Sequence, residues 1–397
     1  MLLPRLLFAL AIVLCLYAYV GYPAILKLLT VLRPAPGPRA KPLRWASPLP
    51  RISIALPVYN EADVIAVTLE RILAVDYPAD RRQILVVSDA STDRTDEIVS
   101  RFADRGVELL RLARRQGKTA AENAARRYLT GEIVINTDAS VRIHPAAVKH
   151  LIAAFDDPSV GVASARDVSV TNLEQRANSG EGTYVGYEMW IRDMETAVGG
   201  IVGASGCLYA IRAELHLHPV PEGLSRDFAA ALTAREHGWR AVSVPEALCY
   251  VPRGTSLHQE YRRKVRTITR GLATLAHKRA LLNPLRYGAF AWMLVSHKVC
   301  RWLVPWALVA LLAALTALAV TSGWARALLA GVGAVGAVAA IAWVWPERRP
   351  LPRLLALPAY VAAGNVAVLQ AWLRVFAGRP APVWEPTRRG TPPLPSS

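Results

Sequence analysis

Cysteine is scarce and scattered. Cys15, Cys207, Cys249 and Cys300 form no CxxC pair and no framework spacing, which excludes a disulfide-stapled module and a cysteine zinc site. Histidine offers metal nothing better: His216 and His218 stand at strand-like i, i+2 spacing with no further histidine or cysteine beside them. Acids are short as well, 30 Asp and Glu against 47 Lys and Arg, for a formal net charge of +17. Such a surplus can mean nucleic acid, but its location points elsewhere. Arg33–Arg51 carries five basic residues and no acid, Arg262–Arg286 carries eight and no acid, and both flank apolar runs. That is the cytoplasmic bias of membrane proteins, with attraction to anionic lipid headgroups added, so nucleic-acid binding is set aside.

Hydrophobic residues, by contrast, make up 53% of the 397. Four uncharged runs, Leu6–Leu26, Trp302–Ala325, Ala327–Pro346 and Leu354–Leu373, reach the roughly 20 residues that cross a bilayer. The first is too long for a signal-peptide core and ends in no A-x-A site, so it reads as an uncleaved anchor. The division expected is an anchor over 1–32, a basic Pro-rich linker over 33–50, an α/β domain over 51–252, an amphipathic interface region over 253–300, membrane helices over 301–376 and a tail over 377–397.

Between linker and interface region, strand-like and helix-like segments alternate, as in a domain built on a largely parallel sheet. RISIALP reads as a strand, after which Asn60 is expected to cap a helix with Val64, Ile65, Leu69, Ile72 and Leu73 on one face. ILVVSD, VELLRL and EIVINTD read as further strands, and Asp89 and Asp138 close two of them. Carboxyl ends of parallel strands face the ligand crevice, so two acids there read as functional rather than as turn formers. Further on, HQEYRRKVRTITRGLATLAHKR places Tyr261, Val265, Ile268, Leu272 and Leu275 at helical steps among arginines, the pattern of a basic amphipathic helix lying in a membrane interface.

Taken in order, the motifs resemble the family 2 glycosyltransferases, inverting enzymes of the Rossmann-like GT-A fold, and in particular the membrane-integrated branch with cellulose, chitin and hyaluronan synthases. The resemblance runs over roughly residues 50 to 300. It implies that SIALPVYNEADVI places Pro57, Val58, Tyr59 and Glu61 against the nucleotide base and ribose, that Asp89 in VVSDASTDRT faces the base or ribose, and that Lys118 in GKTAAENAA lies near the nucleotide. NTDAS occupies the D-x-D position, so Asp138 is the implied ligand of Mg²⁺ or Mn²⁺ on the diphosphate, with Ser140 in place of the second acid. In GLSRDFAAALTAREHG, Asp227 takes the general-base position and Arg226 replaces the usual preceding acid. A base is needed because a sugar hydroxyl is a poor nucleophile, and the adjacent arginine is expected to keep Asp227 ionised where the two side chains meet. RKVRT fits a Q/R-x-x-R-W pattern with Thr267 in place of tryptophan, making Arg263 and Arg266 the implied stabilisers of the departing diphosphate. Trp190 and Ser205 fall on the acceptor side, within YVGYEMWIRDMET and the Gly203–Gly206 turn.

The resemblance implies a multi-pass plasma-membrane enzyme with a cytoplasmic catalytic domain, transferring sugar from a UDP-sugar to a polysaccharide or lipid-linked glycan. The alternative keeps the fold but not the catalysis: a nucleotide-sugar-binding scaffold or gate among polysaccharide export partners, motivated by Ser140, Arg226 and Thr267. Basic clusters put Arg33–Arg51 and Arg348–Arg353 in the cytoplasm. Three spans after the domain then put the tail outside, against the preference of Arg374, Arg379, Arg388 and Arg389. Either Leu354–Leu373 does not fully cross, or the apolar segment near Tyr287–Ser296 enters the bilayer.

Overall fold

The computed structural model describes residues 2–32, 49–170, 179–252, 256–346 and 352–379; the linker, residues 380–397 of the tail and most of Arg348–Arg353 lie outside them. At its centre is one eight-stranded sheet. Its strands are β1 (Ile52–Val58), β2 (Arg82–Ser88), β3 (Val107–Arg111), β4 (Ile133–Thr137), β5 (Arg142–Ile143), β6 (Val160–Val170), β7 (Leu208–Arg212) and β8 (Arg240–Pro252). They lie in the order β3-β2-β1-β4-β7-β6-β8-β5. The first four are all parallel, whereas β7 runs antiparallel to both β4 and β6. Every residue of β1 is buried, which is why it reads as an apolar run broken only by Ser53: both faces of a parallel sheet are covered. Strand order turns around between β1 and β4, so their carboxyl ends border the crevice of an open α/β sheet.

Helix α1 (Ile65–Leu73) buries Ile65, Leu69 and Ile72 against the sheet, each contributing roughly 1.5–3 kcal/mol of apolar burial. Asn60 does not cap it. The helix begins beside Val64, and Asn60 stands in the left-handed region at φ 53°. Its side-chain amide donates to Thr92 Oγ1 at 3.1 Å and its oxygen accepts the Thr92 backbone N–H at 2.8 Å. A short polar side chain tolerates that conformation, and here it ties the loop after β1 to the loop after β2. Beyond them come α2 (Thr95–Ser100), α3 (Lys118–Ala125), α4 (Ser179–Val198), α5 (Arg226–Glu236) and α6 (Leu257–His277).

Among the described residues four helices are long and apolar enough to cross a membrane: Leu2–Leu32, Ala289–Ala319, Gly323–Trp343 and Leu355–Phe376. The second begins well before the uncharged run at Trp302 and takes in His297, Lys298 and Arg301. The segment near Tyr287–Ser296 therefore leads into that span and adds no separate crossing. Trp302 docks this span on the domain, its ring edge-on to Phe228 at 6.2 Å and its carbonyl taking the Trp372 indole N–H at 2.9 Å. Helix α6 is amphipathic as expected. Val265, Leu272 and Leu275 are buried, and the Tyr261 hydroxyl reaches Gln370 of the fourth span at 2.8 Å.

Candidate active site

The ends of β1, β2 and β4 bring several of the expected residues to one edge of the sheet, with unequal access. Pro57 and Val58 are interior, opposite Val87 and Ser88 in the parallel ladder, so their side chains pack the sheet instead of facing a base as the resemblance implies. Tyr59 is half-buried just beyond the strand, with the Arg115 guanidinium 3.9 Å above its ring, and Glu61 is half-buried next to it. Asp89 is fully buried, and its two oxygens accept the backbone N–H groups of Gln116 and Gly117, each at 2.7 Å. A direct contact with base or ribose is closed to it in this conformation. Its work is to hold the turn at Gly117, whose φ of 94° suits glycine, and that turn launches Lys118 at the start of α3.

Lys118 binds Asp138 Oδ1, reaches toward the Gly206 carbonyl at 3.5 Å and lies 4.0 Å from Glu122. Burial alone would push its pKa down, but the carboxylates of Asp138, Glu122 and Asp227 outweigh burial and hold it above its ordinary value. Asp227 sits in the first turn of α5 and takes the Ser225 hydroxyl at 2.5 Å. Ser225 is the residue at the cap position, so the aspartate itself is two residues in, within the first turn, where the helix dipole favours negative charge. A Cβ placed on Gly206 would come 2.8 Å from Asp227 Oδ2, so only glycine lets the Gly203–Gly206 turn lie against the carboxylate. Lys118, Asp138 and Asp227, far apart in sequence, thus meet around Gly206.

Arg226 does not meet Asp227. It donates to Asn123 Oδ1 at 2.7 Å and to His216 Nε2 at 3.1 Å, and lies 3.7 Å from Glu122, because neighbours on a helix point about 100° apart. Burial raises the Glu122 pKa above the usual carboxylate range, opposed by Lys118 and Arg226. His216 belongs to a short helix, Ala213–His216, rather than a strand. Its burial, together with Arg226 and Arg126, holds its pKa well below the usual value. His218 stacks on His237 with ring centroids 4.4 Å apart. Among the described residues no three His, Cys, Asp or Glu side chains converge as a metal site.

On α6, Arg263 is engaged by its own helix, donating to both oxygens of Glu260 at 2.8 and 2.7 Å. Arg266 is half-buried one turn on. Arg270, which motif reading passed over, follows four residues later. Its Nη2 donates to the Glu222 carbonyl at 2.9 Å, and its Nε has no partner among the described residues. Burial lowers its pKa, against the opposing pull of Asp227 and Glu122. The signal was there to find: steps of three and four put 263, 266 and 270 on one helix face. On the expected acceptor side, Trp190 is exposed and close to the Tyr187 ring. Ser205 is buried, donating to Asp167 Oδ1 at 2.6 Å, so it stitches the turn to β6 rather than lining an open surface.

A mixed α/β sheet with its polar residues gathered at the carboxyl ends of parallel strands is the GT-A architecture. Residues 53–212 match the Glycosyl transferase family 2 model, so the chain carries a family 2 glycosyltransferase domain. It is similar to the mannosyltransferase PcManGT from Pyrobaculum calidifontis, solved in complex with GDP-Man and Mn²⁺, with a TM-score of 0.67, 28% identity and coverage of 91% of this chain and 99% of that one. It is also 27% identical over 158 residues to a beta-monoglucosyldiacylglycerol synthase of Nostoc sp., covering 38% of this chain and 34% of that protein. An undecaprenyl-phosphate 4-deoxy-4-formamido-L-arabinose transferase of Edwardsiella ictaluri is 34% identical over 109 residues, covering 26% of this chain and 34% of that protein. The chain matches about a third of the length of these curated relatives.

Proposed function

We propose that the chain is a membrane-bound inverting glycosyltransferase that moves a sugar from a nucleotide diphosphate sugar to a lipid-linked acceptor or growing glycan, with its catalytic domain in the cytoplasm. The observation that carries this reading is the meeting of Lys118, Asp138 and Asp227 around Gly206. Asp227 takes the proton of the acceptor hydroxyl as that oxygen bonds to the anomeric carbon. The bond to the diphosphate breaks on the opposite face, and Lys118, Arg266 and Arg270 meet the negative charge that develops. Four candidate spans and the printed names of the Nostoc and Edwardsiella relatives support a lipid acceptor, and basic stretches beside the spans support the cytoplasmic side.

The residues present fit a divalent cation held jointly with substrate. Among the described residues only Lys118 bonds the Asp138 carboxylate, on Oδ1, which leaves the second oxygen for a hard cation whose other ligands are phosphate and water. Bound there, Mg²⁺ or Mn²⁺ would neutralise charge on the diphosphate; the PcManGT complex supports that use. Asp227→Asn keeps the size of the side chain but not its basicity. It is expected to cut transfer by about 10² or more with nucleotide affinity unchanged, read as nucleoside diphosphate release from purified membranes across a panel of nucleotide sugars. A near wild-type rate in this variant would remove Asp227 from the base role.

A further inference from the structure

A second group of charges is buried where α4 meets the first two spans. Glu188 accepts from Arg301 Nη1 at 2.9 Å and from His297 Nε2 at 3.1 Å, with Lys298 Nζ 3.7 Å and Arg192 Nε 3.6 Å away. Glu195 takes the Tyr22 hydroxyl at 2.5 Å and His297 Nδ1 at 2.6 Å. With His297 left out of the count, three cations, Arg192, Lys298 and Arg301, face Glu188 and Glu195 among the described residues, and Asp193, which also interacts with Arg192, is shared with Arg166. Arg192 is only 9% exposed, and its Nε and Nη1 make no hydrogen bond to any described residue. A buried guanidinium with unmatched N–H groups calls for an acceptor, and surplus positive charge away from water calls for an anion.

The cluster shares a wall with the transfer site. A Cβ on Gly203 would lie 3.2 Å from the Phe228 ring and 3.6 Å from Lys298 Cε, and Lys298 Nζ stands 5.8 Å from the centre of that ring. Phe228 is the residue after Asp227, so an anion at Arg192 and Lys298 would sit one side chain from the base. Lys298 and Arg301 belong to the second candidate span, so the cluster is built on a helix apolar enough to cross a bilayer. We propose that Arg192 and Lys298 form a subsite for the phosphate of a membrane lipid, completing the charge balance of this cluster beside the base helix. Its meaning as an acceptor anchor rests on the transferase reading.

Phosphate suits the site because its several acceptor oxygens can serve an arginine and a lysine together. The test is binding to the purified full chain in detergent, with dioleoyl phosphatidic acid, dioleoylglycerol as its phosphate-free twin, and inorganic phosphate as probes. The wild type is expected to bind phosphatidic acid about tenfold more tightly than dioleoylglycerol. Arg192→Gln and Lys298→Gln should each erase that preference, while Arg262→Gln, on an exposed side chain of α6, should keep it and so measure background attraction to the basic surface. Nucleotide titration of each variant checks that it is folded, and the milder Arg192→Lys decides if Lys298→Gln is not. Equal binding of the two lipids by the wild type, or a preference surviving both substitutions, overturns the proposal and leaves the cluster as a pin between α4 and the spans. Inorganic phosphate competing as well as phosphatidic acid overturns the lipid assignment. Because the readout is binding, either result leaves the Asp227→Asn test of the transferase reading untouched.

Discussion

β2 and β4 both end in an aspartate, and the two ends are built in opposite ways. At the end of β2, Asp89 is buried and both its oxygens are taken by backbone N–H groups of the loop before α3. At the end of β4, Asp138 is partly exposed and carries a lysine on one oxygen. The first carboxylate is spent on the fold, and the second is held in readiness at a surface. The same contrast separates arginines on α6: Arg263 is forked onto Glu260, whereas Arg270 keeps an unmatched Nε beside the charges of Asp227 and Glu122. A charged residue in a motif therefore says little until its partners are known.

The largest effect should come at the available carboxylate. Asp138→Ala is expected to lower turnover about 10³-fold, since it removes the proposed ligand for the diphosphate-bound cation, an effect far larger than the loss of its ion pair with Lys118 has on the fold. Activity that persists in EDTA and in this variant would return Asp138 to the role of a strand end. Asp89→Ala should act on the fold instead. It strands the buried Gly117 N–H, at about 1–3 kcal/mol, and frees the part-buried Gln116 N–H, so a lowered unfolding midpoint is expected, with kcat of the folded fraction within about threefold of wild type. A kcat collapse without loss of stability would erase the distinction between the two ends. Among the arginines, Arg270→Ala should slow transfer about tenfold more than Arg263→Ala, because a guanidinium already neutralised by Glu260 has less to give a departing diphosphate. Equal losses in a side-by-side kcat comparison would restore the motif's own pair.

How much of this was legible depended on whether a residue's partner lay nearby in sequence. The four candidate spans overlap the uncharged runs, but the second begins at Ala289 and takes in His297, Lys298 and Arg301, whose carboxylate partners Glu188 and Glu195 lie on α4. No scan of a single segment sees a partner about a hundred residues away. β1, β2 and β4 were plain from continuous apolar runs closed by polar residues. Asn60 was misread because asparagine suits both a helix cap and a left-handed turn, and contact with Thr92 decided between them. Ser205 was placed on the acceptor side by its motif, whereas its hydroxyl is turned inward onto Asp167, on a strand distant in sequence. Arg226 was to act on Asp227 only where the two side chains met, and helical geometry sends it instead to Glu122 on α3, 3.7 Å away.

The finest test of the comparison lies two residues beyond the β4 strand end, at Ser140. If Asp138 is the available carboxylate, a second acid there should add to its hold on the cation; if Asp138 only ends a strand, a second acid does nothing for activity. Ser140 is half-buried, so an aspartate there is not placed in a dry core. Hard divalent cations bind more tightly as carboxylate ligands are added, and Lys118, held charged by its neighbours, softens the repulsion between two acids. Ser140→Asp is therefore expected to lower the Mn²⁺ concentration for half-maximal activity several-fold while leaving the saturated rate within about twofold. Titrating Mn²⁺ against wild type and Ser140→Asp at fixed nucleotide sugar reads both quantities. Coincident curves would mean that the cation, where it acts, is held by the diphosphate without this edge of the sheet.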